Sequence, residues 1–236
     1  MKHLLLLITL SAGMVQAVWA QAFCASDDQA TPVALIERFT SADCAACWSA
    51  PQTLATTAGA LTLDWIVPRD PSDQPDEAPL SAAASPDARL RLDTLGRAVP
   101  TTSTITIAPV DGDRVHQLRV AQGTPLGGYI GASIELKTNM KILHEETFSA
   151  WLVLVETLPA GTEGSPIERN LVRNVLLTPW NMRDQLSKAE QMTFHEMRPL
   201  SIPPGATPER LRVVGWIQDA RGRVVTAAQS VCAPSD

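Results

Sequence analysis

Apolar positions along the chain change their spacing several times, and each change predicts an element. Val33–Phe39 and Leu61–Val67 are short, nearly continuous apolar runs, the pattern of strands buried on both faces. Between them, Ala45 to about Ala58 is Ala-rich and predicts a helix interrupted or kinked by Pro51. Ala88, Leu90, Leu92 and Leu95 recur at helical spacing over Pro86–Leu95, with Gly96 as a stop. Thr101–Ile107 predicts a third strand, and Asp111-Gly112 a turn into Val115–Val120. Asp70–Pro79 is acidic and proline-rich, hence a loop. From about Gly127 onward the pattern is mostly β. Ile130, Ala132, Ile134 and Leu136 alternate with small or polar residues, and Ala150–Val155 is a continuous apolar run. Leu171–Leu177, Arg212–Gln218 and Val224–Gln229 follow, with a short helix possible only over Gln185–Met192.

The first residues have a separate logic. A basic start, an apolar run from Leu4 to Leu10 and the small-x-small pattern Ala20-Gln21-Ala22 predict a cleaved secretory signal over residues 1–20, with Val18-Trp19-Ala20 as a competing site. Bulky Phe23 argues against a lipoprotein anchored at Cys24. The apolar run is too short to cross a bilayer and no later run is longer, so no membrane span is expected. The expected location is periplasmic or secreted, where disulfides persist. The net charge of −6 is spread without any Lys or Arg block, which disfavours nucleic acid as a partner.

That compartment directs attention to the four cysteines. Cys44 and Cys47 stand three positions apart at an expected helix start, where free backbone N–H groups and the helix dipole favour a thiolate. This is dithiol–disulfide chemistry. One Cys-x-x-Cys is only half of a tetrahedral four-cysteine set, so no metal is expected. Four cysteines allow three pairings; a local Cys44–Cys47 pair leaves Cys24 and Cys232 as a structural disulfide. Asp43 either points at Cys44 and opposes its thiolate or caps the helix; both readings stand. His116, His144 and His195 are scattered singly, and Trp65, Trp151 and Trp216 fall inside strand patterns as core. No Ser/His/Asp order or Gly-rich phosphate loop is present, and no cofactor is expected.

The order strand, Cys-x-x-Cys, helix, strand, helix, Val99-Pro100-Thr101, strand, strand resembles the thioredoxin superfamily over roughly residues 33–120. Glu37-Arg-Phe-Thr-Ser41…Cys44-x-x-Cys47 is similar to the signature of an exported bacterial thioredoxin-like family of unknown function, with faint echoes at Arg173-Asn-Val175 and Trp216–Asp219. Two departures are local: Trp48 follows the second cysteine, and Asp43 precedes the first. The resemblance implies an α/β fold, thioredoxin-like over 30–122, with an additional β-rich C-terminal domain over 127–232 built as a small sandwich or sheet. It also implies a cis peptide bond before Pro100, lying against the cysteines, and a substrate-binding role for Val99, Pro100 and Thr101. The expected activity is thiol–disulfide oxidoreductase chemistry, with Cys44 attacking and Cys47 resolving, on protein or small-molecule thiols and disulfides. The alternative is a non-catalytic binding or assembly module in which the Cys44–Cys47 disulfide is structural.

Overall fold

The computed structural model describes residues 24–50, 57–69, 78–112, 116–138, 147–180 and 193–232. The signal segment, most of the acidic loop, His144 and the short helix expected at Gln185–Met192 lie outside them.

Among the described residues the chain is mostly β. Its strands are β1 (Cys24–Ala25), β2 (Ala34–Ser41), β3 (Ala60–Val67), β4 (Ser103–Pro109), β5 (Gln117–Gln122) and β6 (Tyr129–Lys137). They continue with β7 (Phe148–Leu158), β8 (Arg169–Trp180), β9 (Thr193–Ser201), β10 (Leu211–Gln218), β11 (Val224–Gln229) and β12 (Val231–Cys232). Against these stand two short α-helices, α1 (Ala45–Ser49) and α2 (Pro86–Thr94). The strands form a mixed seven-stranded sheet, β11-β10-β7-β8-β3-β2-β4, and an antiparallel five-stranded sheet, β12-β1-β5-β6-β9.

This corrects the expected α/β thioredoxin-like fold class. β2 and β3 do pair in parallel over eight positions, and β4 runs antiparallel to β2. β5, however, leaves for the other sheet. On its far side β3 meets β8, so strands of both halves of the chain share one sheet. The physical reason is the two-faced burial of β7 and β10. Trp151, Val153, Val214 and Trp216 join the core under α2, while Ala150, Leu152, Leu154, Val213 and Ile217 pack against the five-stranded sheet. Strands apolar on both faces gain more by widening a covered sheet than by forming a separate small one. The boundary expected between 122 and 127 falls between β5 and β6, which pair with each other.

α1 ends at Ser49, where the helix expected to about Ala58 is interrupted ahead of Pro51; residues 51–56 of that stretch lie outside the described ones. Ala50 is already extended (φ −76°, ψ 135°), as the residue before a proline is driven to be. α2 matches its expected span: Ser85 caps it by accepting from the Asp87 N–H, Pro86 opens it, and Gly96 follows at φ 61°. Among the described residues no helix is long and apolar enough to cross a membrane.

The sheets approach closely at Gly215 of β10. A Cβ there would sit 2.6 Å from Val120 Cγ1, 2.9 Å from Ile134 Cδ1 and 3.3 Å from the Trp151 carbonyl oxygen. Gly215→Ala should therefore destabilise by about 1–3 kcal/mol through overpacking. Urea unfolding checks it, and an unchanged midpoint would show that the two side chains swing aside freely.

Candidate redox site

The cysteine pair sits just past the C-terminal end of β2. The Ala42 N–H donates to the Val67 carbonyl (2.9 Å), and the Cys44 N–H reaches back to the Ser41 carbonyl (2.9 Å). The Cys47 and Trp48 N–H groups then both donate to the Cys44 carbonyl, at 3.0 and 3.2 Å, winding the first turn of α1. Cys44 is itself the N-cap residue, and its Sγ accepts from the Cys47 N–H at 3.2 Å. Cys44 and Cys47 are disulfide-bonded and both half-buried. α1 has only five residues, so its dipole is too short to supply the thiolate stabilisation expected of a longer helix.

The side-chain geometry resolves the two readings of Asp43. It neither caps the helix nor stands unpaired beside Cys44; Arg69 grips both its carboxylate oxygens, with Nε donating to Oδ2 at 2.9 Å. That hydrogen bond holds the exposed Asp43 carboxyl below the usual range. Engaged in this way, its charge opposes a Cys44 thiolate less than a free carboxylate would.

Trp48 anchors the turn to residues far away in sequence. Its buried indole N–H donates to the Glu163 carbonyl at 2.8 Å. Arg169, at the start of β8, donates from NH2 to the Trp48 carbonyl at 2.8 Å, and its Cζ lies 4.7 Å from the Trp48 ring centroid. The same guanidinium reaches Asp64 Oδ1 (3.2 Å), while Arg38 NH2 takes Oδ2 (2.5 Å) and the Asn170 N–H shares that oxygen (2.8 Å). Asp64 also stands at the seam of the seven-stranded sheet, where β3 and β8 pair at Asp64 and Leu171. Burial pushes the Arg169 guanidinium below its ordinary value, while the Asp64 carboxylate favours its charged form.

Val99, Pro100 and Thr101 lie in the connection between α2 and β4, with Val99 and Thr101 exposed and Pro100 half-buried. The connection is tied to the cysteine turn through the next residue, since the Ser41 N–H donates to the Thr102 carbonyl at 2.7 Å. The cis bond implied before Pro100 is absent: no peptide bond among the described residues is cis. Cys24 and Cys232 form the second disulfide, as directly opposed residues of β1 and β12 in the other sheet. His116 is buried, bonded to Thr138 Oγ1 at 3.0 Å and edge-on to Phe148, and His195 is exposed on β9. Trp65, Trp151 and Trp216 are core residues under α2.

Arg38, Asp64, Glu163 and Arg169 carry no motif that marks them as site residues in the sequence. Arg38 and Asp64 each interrupt an apolar run in the two strands that flank the cysteine turn, and that was the available signal. Nothing local distinguishes Arg169 or Glu163.

No family model matches the chain, and no curated protein does. Among solved structures, HBP35 of Porphyromonas gingivalis is similar over 85% of this chain and 75% of its own, at 12% identity and a TM-score of 0.49.

Proposed function

We propose that this chain is an exported thiol–disulfide exchange protein whose reacting pair is Cys44–Cys47. One observation carries the reading: the Cys47 N–H points at Cys44 Sγ from 3.2 Å. After reduction the same donor would stabilise a thiolate on Cys44 and lower its pKa. The half-exposure of Cys44 supports access by a partner, and pairing of Asp43 with Arg69 removes much of the opposing charge. The two disulfides of the chain are consistent with an oxidising compartment.

In the reducing direction, the Cys44 thiolate attacks one sulfur of a partner disulfide. The partner S–S bond breaks, a mixed disulfide forms, and one partner thiolate leaves. The Cys47 thiolate then attacks Cys44 Sγ, expels the second partner thiolate and closes Cys44–Cys47, so the partner gains the two electrons the pair loses. With the pair oxidised, a dithiol partner runs the sequence in reverse. Val99, Pro100 and Thr101, tied to the turn through Thr102, would offer backbone groups to an extended segment of that partner.

The alternative, a binding module with a structural disulfide, draws on the anchoring of Trp48, which fastens α1 independently of the sulfurs. Trapping separates the two. Cys47→Ser leaves a nucleophile that forms mixed disulfides but does not resolve them, so the exported variant should accumulate covalent complexes that vanish on reduction. Cys44→Ser should accumulate none. No complexes with Cys47→Ser, together with a partner that still co-purifies with the double cysteine variant, would sink the exchange reading.

A further inference from the structure

We propose that Arg169, supplied by the C-terminal half of the chain, is a positioning residue for the Cys44–Cys47 pair: it clamps the end of the cysteine turn and sets the charge behind it. The proposal rests on the exchange reading above and adds a role for β8 and the loop before it.

The grip is specific. Arg169 NH2 donates to the Trp48 carbonyl at 2.8 Å and reaches the Ala50 carbonyl at 3.5 Å, the oxygens left without helical partners where α1 stops after five residues. Its Nε donates to Ser165 Oγ (2.9 Å) and its NH1 to Asp64 (3.2 Å), so every nitrogen of the guanidinium is engaged and the side chain is fully buried. The loop before β8 adds a second hold. Gly161, Glu163 and Gly164 all take positive φ, at 80°, 47° and 74°, and this backbone presents the Glu163 carbonyl to the Trp48 indole. Trp48 follows Cys47 directly. Its position therefore fixes the turn whose N–H faces Cys44 Sγ.

Charge adds to geometry. Arg38 and Arg169 share the single carboxylate of Asp64, and all three side chains are at most 9% exposed. The cluster is thus a buried net positive charge behind the cysteine turn, and buried charge is weakly screened. A thiolate gains from it while a disulfide does not, so the clamp lowers the thiol pKa and makes the pair more oxidising.

The test measures the equilibrium constant of the full mature chain with glutathione and the thiol pKa of Cys44 after reduction. Arg169→Met should shift the equilibrium about tenfold toward the disulfide, which is about 30 mV for a two-electron couple, and raise the Cys44 pKa. Arg169→Lys keeps the charge but loses the fork, so it should fall between the two. If the wild-type pair does not equilibrate with glutathione, the exchange reading falls and the clamp with it. If it does, while Arg169→Met and Arg169→Lys share its equilibrium constant and pKa, the clamp alone is overturned. Should Arg169→Met fail to fold, Arg169→Lys decides the matter: values equal to wild type would overturn the clamp.

Discussion

Arg91→Ala should destabilise the fold by about 3–5 kcal/mol, because it strands a buried charge. Arg91 projects from α2 with 1% of its side chain exposed and forks onto Glu37, Nε to Oε1 at 2.8 Å and NH2 to Oε2 at 2.6 Å. Its NH1 donates to Gln218 Oε1 at 2.7 Å, and its Cζ lies 4.7 and 5.0 Å from the ring centroids of Trp151 and Trp216. The two indoles stack on each other as a directly paired residue set of β7 and β10. One guanidinium thus fastens a helix to strands from both halves of the sheet. Truncation leaves the Glu37 carboxylate, also 1% exposed, without a partner and forfeits the cation–π contacts. For a chain of this size each kcal/mol moves the melting temperature by roughly 2–4 °C, so a drop of about 6–20 °C is expected. Pairing the change with Glu37→Gln removes the orphan charge and should recover part of the loss. A fall of less than 1 kcal/mol in the single variant would show that water reaches Glu37 and that the pair is not the fastening it looks to be.

How legible this fold was depends on how far each feature reaches along the chain. β2, β3, β7, β10 and β11 are short apolar runs, and their expected spans agree with the strands to within a few residues at either end, as does that of α2. β9 has no clear strand pattern, because Thr193-Phe-His-Glu-Met-Arg-Pro-Leu-Ser201 is an edge strand of mixed polarity, with Pro199 tolerated where a central strand would need its N–H. The interruption expected at Pro51 begins one residue earlier, at Ala50, and residues 51–56 of the Ala-rich stretch lie outside the described ones.

Fold class failed for a different reason. An apolar run states that a strand is buried on both faces but not which strand lies beside it. The encounter of β3 with β8 therefore has no local signature. The site divides in the same way. Cys44 and Cys47 announce themselves by spacing, and Asp43 was visible as a problem. Arg169 lies 121 residues from the Trp48 carbonyl it binds and 105 from Asp64. Only the completed seven-stranded sheet brings them together.

Removing the Cys24–Cys232 disulfide should cost the chain up to about 5 kcal/mol in the chain-entropy account, because the bond closes a loop of 208 residues. The strands it joins are weak alone. β1 and β12 have two residues each, and β1 is held to β5 through Cys24↔Gln122 and Ala25↔Ala121, with Ser26 adding a backbone and a side-chain hydrogen bond to Val120. The Cys24→Ser/Cys232→Ser variant should therefore melt lower, by up to roughly 10–20 °C. Its first loss should be protection of the Cys24–Ser26 amides, since among the described residues β1 is the strand that β12 pairs with. Cys44→Ser/Cys47→Ser closes no long loop, and Trp48 and Arg169 still hold α1, so its melting temperature should move by a few degrees at most. Calorimetry on both variants, with the remaining disulfide kept oxidised, makes the comparison. A larger loss from the Cys44–Cys47 pair than from Cys24–Cys232 would reverse the assignment of structural and reactive bonds on which the exchange reading depends.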